Sequence, residues 1–417
     1  MPATNIVSTQ VRTHGLALTE HEVTVPLDHA DPGGELITVF AREVADPGDT
    51  AGTDKPYLVY LQGGPGHEAP RPTRHPSGPA WLERALKEYR VLMLDQRGTG
   101  RSTPVGDPVG ETPEQQADYL KHFRADSIVR DAELVREALG GDKWSVTGQS
   151  FGGFCVLSYL SLAPEGLREA FFTGGVPPVG GDIDDIYRKT YERVVERTRR
   201  YYERYPADRD RVLEIHSWLE NEDVRLPCGD RLTSRRFRQL GHGLGMSDGA
   251  ERLHYLVELP KGSRAFLHDV EAAEPFSRNP LYAVVHESSY ADGQATRWSA
   301  ERTLPELPPE GFTGEHVYPW MFTEYGALAP WREAAELLAQ HEWPKLYDAE
   351  RLAENEVPAA AAIFAEDAYV EAEYSMETVS LVRGLRPWLT NEYEHNAMRA
   401  DGGRVLDRLI DLARGRA

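Results

Sequence analysis

A chain of 417 residues with 67 acidic against 46 basic side chains carries a net charge of −21 at pH 7, and 40% of its residues are hydrophobic. Such a length holds two or three domains with ample core material, while the negative surface argues against nucleic acid and anionic membrane as partners. No apolar run is long enough to cross a bilayer, and Cys155 and Cys228 offer neither a disulfide framework nor a metal-ligand spacing.

The segment Met1 to His14 is polar and lacks the hydrophobic region of a signal peptide, so the expected location is cytoplasmic. His21 to Pro26 and Leu36 to Val44 alternate as strands do, with Asp31-Pro32-Gly33-Gly34 as the turn between them. Tyr57 to Leu61 is a continuous apolar run, as in a strand covered on both faces. It leads into Gln62-Gly63-Gly64-Pro65-Gly66, a loop built from turn residues. A helical pattern over Trp81 to Tyr89 precedes a second buried strand, Arg90 to Leu94, and Asp126 to Leu139 reads as an amphipathic helix. Another strand is expected at Ala170 to Thr173. Strands alternating with helices at this spacing imply a largely parallel sheet with helices on both faces.

Beyond Pro177-Pro178 the pattern becomes helical and rich in Arg, Glu and Tyr. Tyr187 to Tyr205 reads as a long helix ended by Pro206, followed by shorter ones over Arg235 to Leu244 and Ala250 to Leu259. Strand character returns at Ala359 to Ala365, and a helix from Gly403 to Arg414 closes the chain. The expected organisation is an α/β core (1–181), an inserted helical lid (182–328) and the remainder of the core (329–417).

The most informative segment is Trp144-Ser145-Val146-Thr147-Gly148-Gln149-Ser150-Phe151-Gly152-Gly153. A β-prone run enters Gly-x-Ser-x-Gly and a helical pattern from Phe154 to Leu162 follows, which is the context of a nucleophile elbow. Side chains two residues either side of such a serine would clash, and Gly148 and Gly152 remove them. Ser150 is therefore the candidate nucleophile, and Cys155 in the following helix is expected to be a buried packing thiol.

A serine hydroxyl needs a base, and the base needs a third group to orient it. In this architecture the acid follows a late strand and the histidine comes after it. The strand Ala359 to Ala365 leads into Glu366-Asp367, making Asp367 the preferred acid and Glu366 the alternative; His395 is the sole histidine after Asp367. Asp95 stands too early for that order, and Asp95-Gln96-Arg97-Gly98 reads as a structural turn. The oxyanion of the tetrahedral intermediate requires preorganised N–H donors. The backbone amides of Phe151 and Gly64 are the candidates, with Gly63 the alternative to Gly64.

Gln62-Gly63-Gly64-Pro65-Gly66, Asp95-Gln96-Arg97-Gly98-Thr99-Gly100-Arg101-Ser102 and Gly148-Gln149-Ser150-Phe151-Gly152-Gly153 together resemble the signature set of proline iminopeptidases. The resemblance extends through Glu366-Asp367-Ala368-Tyr369-Val370 to His395. It implies an α/β-hydrolase fold with a helical lid and removal of N-terminal proline from peptides by a serine mechanism, without metal or cofactor. Gln62 stands where the family usually has His, a form also found in its longer members and in related tripeptidyl-type aminopeptidases. In the resembling enzymes acidic lid residues bind the substrate's free amino terminus. Glu287 in His286-Glu287-Ser288-Ser289-Tyr290 matches best, with Glu324 and Glu315 as further candidates; Trp320, Phe322 and Tyr325 are candidate walls for the pyrrolidine ring.

Two rival functions use the same triad: an aminopeptidase of alanyl or tripeptidyl specificity, and a small-ester hydrolase. An epoxide hydrolase or dehalogenase would want Asp at position 150. A catalytically silent ligand receptor on the same fold would usually lack a member of the triad.

Overall fold

The structure is a computed structural model that describes residues 5–49, 55–74, 78–108 and 110–417. Its centre is a nine-stranded sheet of β1 (Ile6–Thr13), β2 (Leu16–Pro26), β3 (Leu36–Ala45), β4 (Tyr57–Leu61), β5 (Arg90–Asp95), β6 (Trp144–Gln149), β7 (Leu167–Thr173), β8 (Ala359–Phe364) and β9 (Leu385–Thr390). The spatial order is β1-β2-β3-β5-β4-β6-β7-β8-β9. The first three strands run as an antiparallel meander that joins β5 antiparallel, and the remaining pairs are parallel. The turn at Asp31–Gly34 is closed by Gly34 N donating to Asp31 O at 3.0 Å.

Both faces of the sheet are covered, which is why β4, β8 and the middle of β5 read as unbroken apolar runs. One face packs Val59, Val146, Ala361 and Ile363 against the helices Ala125–Ala138 and Phe151–Leu162. The opposite face packs Leu58, Met93, Ala360 and Ala362 against the C-terminal helix Ala397–Ala413. The four alanines of β8 leave room for those helices to sit close to the sheet.

Between β7 and β8 the chain is helical, and among the described residues it contains no sheet strand, only an isolated bridge between Arg225 and Arg231. A separate apolar cluster that includes Val212, Leu232, Phe237, Phe266 and Phe312 stabilises this block. Its first helix, Ile183–Arg204, turns Ile186, Tyr187, Tyr191 and Val194 into the main core instead.

Several elements depart from expectation. Pro206 ends one helix but also opens another, Pro206–Asn221, because a missing N–H costs nothing at the first helical position. Arg235 to Leu244 is a short helix, Ser234–Arg238, continued by a 3₁₀ segment, Gln239–Gly245. The closing helix begins at Ala397, six residues before the expected start, and has non-helical dihedrals at Asp401. Strands β1 and β9 were not expected: both are edges, and Val7 and Leu389 on them are 56% and 53% exposed.

Candidate active site

Strand β6 stops at Gln149, the helix Phe151–Leu162 begins one residue later, and Ser150 bridges them at φ 56° and ψ −126°. A β-carbon chain held at positive φ is strained, and surrounding contacts must maintain it. A Cβ on Gly148 would lie 2.1 Å from Gly152 O, and one on Gly152 2.0 Å from Leu61 O, so only glycine fits at either position. The Ser150 amide is anchored to Thr173 O of β7 at 3.0 Å. Cys155, one turn further on, is fully buried, and burial pushes its thiol well up, which keeps it protonated and inert.

The loop after β4 presses on this turn. A Cβ at Gly63 would come 2.7 Å from Gln149 O and 3.0 Å from the Ser150 Cβ. The Gly63 backbone is thereby held against the turn that opens the serine's helix, whose first N–H groups have no intrahelical acceptor. Asp95, at the end of β5, braces the loop from behind: it accepts from Arg71 at 2.8 and 3.0 Å, from Ala69 N at 3.2 Å and from Arg101 N at 3.0 Å.

Asp367 follows β8 and is buried. Its Oδ1 accepts from the backbone of Tyr369 at 2.8 Å and Val370 at 3.1 Å, leaving Oδ2 to accept from His395 Nδ1 at 2.7 Å. The neighbouring Glu366 points elsewhere and pairs with Arg200. His395 sits in the loop after β9, beneath the ring of Tyr369 at 4.3 Å between centroids. Its carbonyl accepts from Gln149 Nε2 at 3.4 Å, which brings the histidine to the residue preceding Ser150. Burial opposes its protonation, but the charge and hydrogen bond of Asp367, then Glu315 and Glu394, outweigh it and raise its pKa above the ordinary value of 6.5.

The three acidic residues proposed for the lid occupy different environments. Glu315 Oε1 accepts from His286 Nε2 at 3.0 Å. Burial pushes the Glu315 carboxyl up, yet His286, with His242 and His395 beyond it, holds it below the ordinary carboxylate value. Its charge is felt by His395, His67, Tyr282 and Tyr369, which puts this carboxylate in the neighbourhood of the histidine. A cavity of about 20 Å³ opens beside it, lined by His242, Phe276 and Tyr282. Glu287 lies deeper: Oε1 accepts from Ala300 N at 2.9 Å, Oε2 has no hydrogen-bond partner among the described residues, and burial pushes the carboxyl up to about 7. Both oxygens of Glu324 are already engaged, Oε1 by Arg235 at 2.7 Å and Oε2 by Thr233 at 2.6 Å.

The candidate aromatic walls divide likewise. Phe322 is buried against Trp298, and Trp320 is half-buried beneath Arg235. Tyr325 touches Phe276 edge-on, which brings it to the cavity beside Glu315. Sequence reasoning passed over His67, Tyr282 and the His286 imidazole as site residues. A histidine directly before Glu287 was the one visible signal, and nothing in its spacing pairs it with residue 315.

The sheet, with a strained serine on its central strand-to-helix turn, is the architecture of an α/β-hydrolase, and the family model for the alpha/beta hydrolase fold matches residues 56–355. A proline iminopeptidase of Aeromonas sobria is 49% identical, covering 96% of this chain and 97% of its own. A proline iminopeptidase of Aspergillus aculeatus is 35% identical over 95% of this chain and 94% of its own. The chain belongs to the proline iminopeptidase family of α/β-hydrolases. A tripeptidyl aminopeptidase of Streptomyces coelicolor is 28% identical over a shorter stretch, 37% of this chain and 35% of its own. Among the described residues no helix is long and apolar enough to cross a membrane.

Proposed function

We propose that this chain is a serine exopeptidase that releases N-terminal proline from peptides through an acyl-enzyme intermediate. The observation that carries the reading is the buried Asp367–His395 contact of 2.7 Å beside a serine held at positive φ, in a chain 49% identical to a proline iminopeptidase. Ser150 Oγ attacks the prolyl carbonyl carbon while His395 Nε2 takes its proton, forming the C–O bond and an oxyanion. Asp367 accepts from Nδ1 and stabilises the imidazolium. Backbone N–H groups of Phe151 and Gly64 receive the oxyanion. Collapse breaks the C–N bond as His395 returns the proton to the leaving amine. Water, deprotonated by the same imidazole, then cleaves the acyl-enzyme and restores Ser150.

Glu315 is assigned the substrate's protonated amine, since it is a largely covered carboxylate held charged by His286 whose field reaches His395. Glu287 stands behind it as support, and Glu324 is assigned to structure. The helical block 182–328 acts as the cap that excludes water and carries Glu315. Peptides with a free amino terminus are the substrates, and the setting proposed is cytoplasmic.

Hydrolysis of proline p-nitroanilide, its N-acetylated form, alanine p-nitroanilide and a tripeptidyl p-nitroanilide tests this. Turnover of the free prolyl amide with the acetylated compound inert is expected. Preference for the alanyl or tripeptidyl amide would retain the triad and replace the specificity; ester cleavage with all amides inert would make the chain an esterase.

A further inference from the structure

Three arginines of the helix Ile183–Arg204 lie on one face at i, i+4 and i+7, and all three reach across to the sheet's C-terminal loops. Arg193 grips Glu371 with two bonds, at 2.6 and 2.7 Å. Arg200 grips Glu366 at 2.5 and 2.8 Å. These two contacts hold only the loop that follows β8. Arg197 differs. Its guanidinium donates to Glu366 O at 2.6 Å, directly before Asp367, and to both oxygens of Glu394, directly before His395, at 2.8 Å for the Nη1 bond.

We propose that Arg197 is a positioning residue for the triad, tying the loop that carries Asp367 to the loop that carries His395 and making catalytic competence depend on docking of this helix. The inference rests on the triad assignment given above. Asp367 and His395 come from loops after the neighbouring strands β8 and β9; Ala365 N donates to Thr390 O at 2.9 Å where the loops begin, and further out the Asp367–His395 bond and the packing of Tyr369 on His395 join them. A planar guanidinium with several fixed donors can span two acceptors on separate loops, which a single ammonium cannot. The pair is sheltered, with the Arg197 and Glu394 side chains 13% and 29% exposed. Glu394 also needs a counter-charge: burial first, then Asp367 and Glu366, push its carboxyl up, and Arg197 opposes them. The same geometry makes this helix a fixed strut of the cap, so substrate admission belongs to other cap elements.

A displacement of about 1 Å in a reacting group costs up to about a hundredfold in rate. The expected signature of Arg197→Met is therefore a kcat lower by about tenfold to a hundredfold, with KM for proline p-nitroanilide within about threefold. Arg197→Lys should recover part of the loss. Arg199→Met, which removes an exposed arginine paired only within its own helix, should leave kcat unchanged. The double variant R197M/E394Q should be no slower than the worse single variant by more than about twofold, because both changes cut one tie.

A kcat for R197M within about twofold of the parent, or losses that multiply in the double variant, would overturn the proposal. Should R197M not fold, R197K carries the test, with a kcat loss of about threefold or more expected and parental kcat refuting it. Ser150→Ala in parallel separates the two levels: an active S150A removes the triad reading, while an inert S150A beside a fully active R197M removes only the role of Arg197.

Discussion

Nε2 of His286 lies 3.0 Å from Oε1 of Glu315, joining residues 29 positions apart in the chain. His286 is buried, and its Nδ1 has no hydrogen-bond partner among the described residues. Burial pushes the Glu315 carboxyl up, and this contact, with His242 and His395, holds it below the ordinary carboxylate value, so that it stays charged. A site for a protonated amine needs such a group, since an unpaired buried charge is costly and a neutral acid attracts the amine weakly.

Glu315→Gln should therefore lower kcat/KM for proline p-nitroanilide by about a hundredfold, or ~3 kcal/mol, chiefly through KM. Glu324→Gln should change it by less than about twofold, since both Glu324 oxygens serve Arg235 and Thr233. Steady-state kinetics on the two purified variants decides the matter. Equal losses in both, or none in E315Q, would remove Glu315 from amine recognition.

The acid limb of the pH–rate profile follows from His395, which must be neutral to accept the serine proton. Because Asp367, Glu315 and Glu394 raise its pKa against burial, activity should fall by half, as pH is lowered, at a value above the ordinary 6.5. Removing one of these charges in E315Q should move that midpoint down. A parental midpoint below 6.5 would contradict the electrostatic account of the site.

Glu287 makes a prediction about stability in place of rate. Its carboxyl titrates near 7 in the folded protein, against an ordinary value of 4.5. Between those values the unfolded chain binds fewer protons than the folded one at this position, so folding stability contributed here declines as pH rises through the window. Glu287→Gln abolishes the penalty. Urea unfolding should show E287Q gaining on the parent by on the order of 3 kcal/mol between about pH 4 and pH 8, with the gain complete above pH 7. A difference independent of pH would mean that Glu287 is not neutral when buried.

Much of the core was legible because a strand covered on both faces leaves a continuous apolar signature, as in Tyr57–Leu61 and Ala359–Phe364. The edge strands Ile6–Thr13 and Leu385–Thr390 were not, since one side of each meets solvent and its side chains are under weaker constraint. The first is largely polar and exposed; the second carries Pro387, which reads as a strand breaker and is tolerated at an edge.

The candidate site divides along the same physical boundary. Local sequence determined the Gly-x-Ser-x-Gly turn and the glycine loop and ordered the proposed series Ser150, Asp367 and His395, because backbone strain and chain order act over a few residues or along the strand sequence. The carboxylate proposed for the substrate amine could not be chosen that way. The resemblance placed Glu287 ahead of Glu324 and Glu315, and packing orders them differently: the first is buried beside Ala300, the second paired with His286, the third spent on Arg235. Whether a carboxylate is neutral, poised or structurally engaged depends on which distant donors the fold delivers to it, and that information resides in the tertiary contacts.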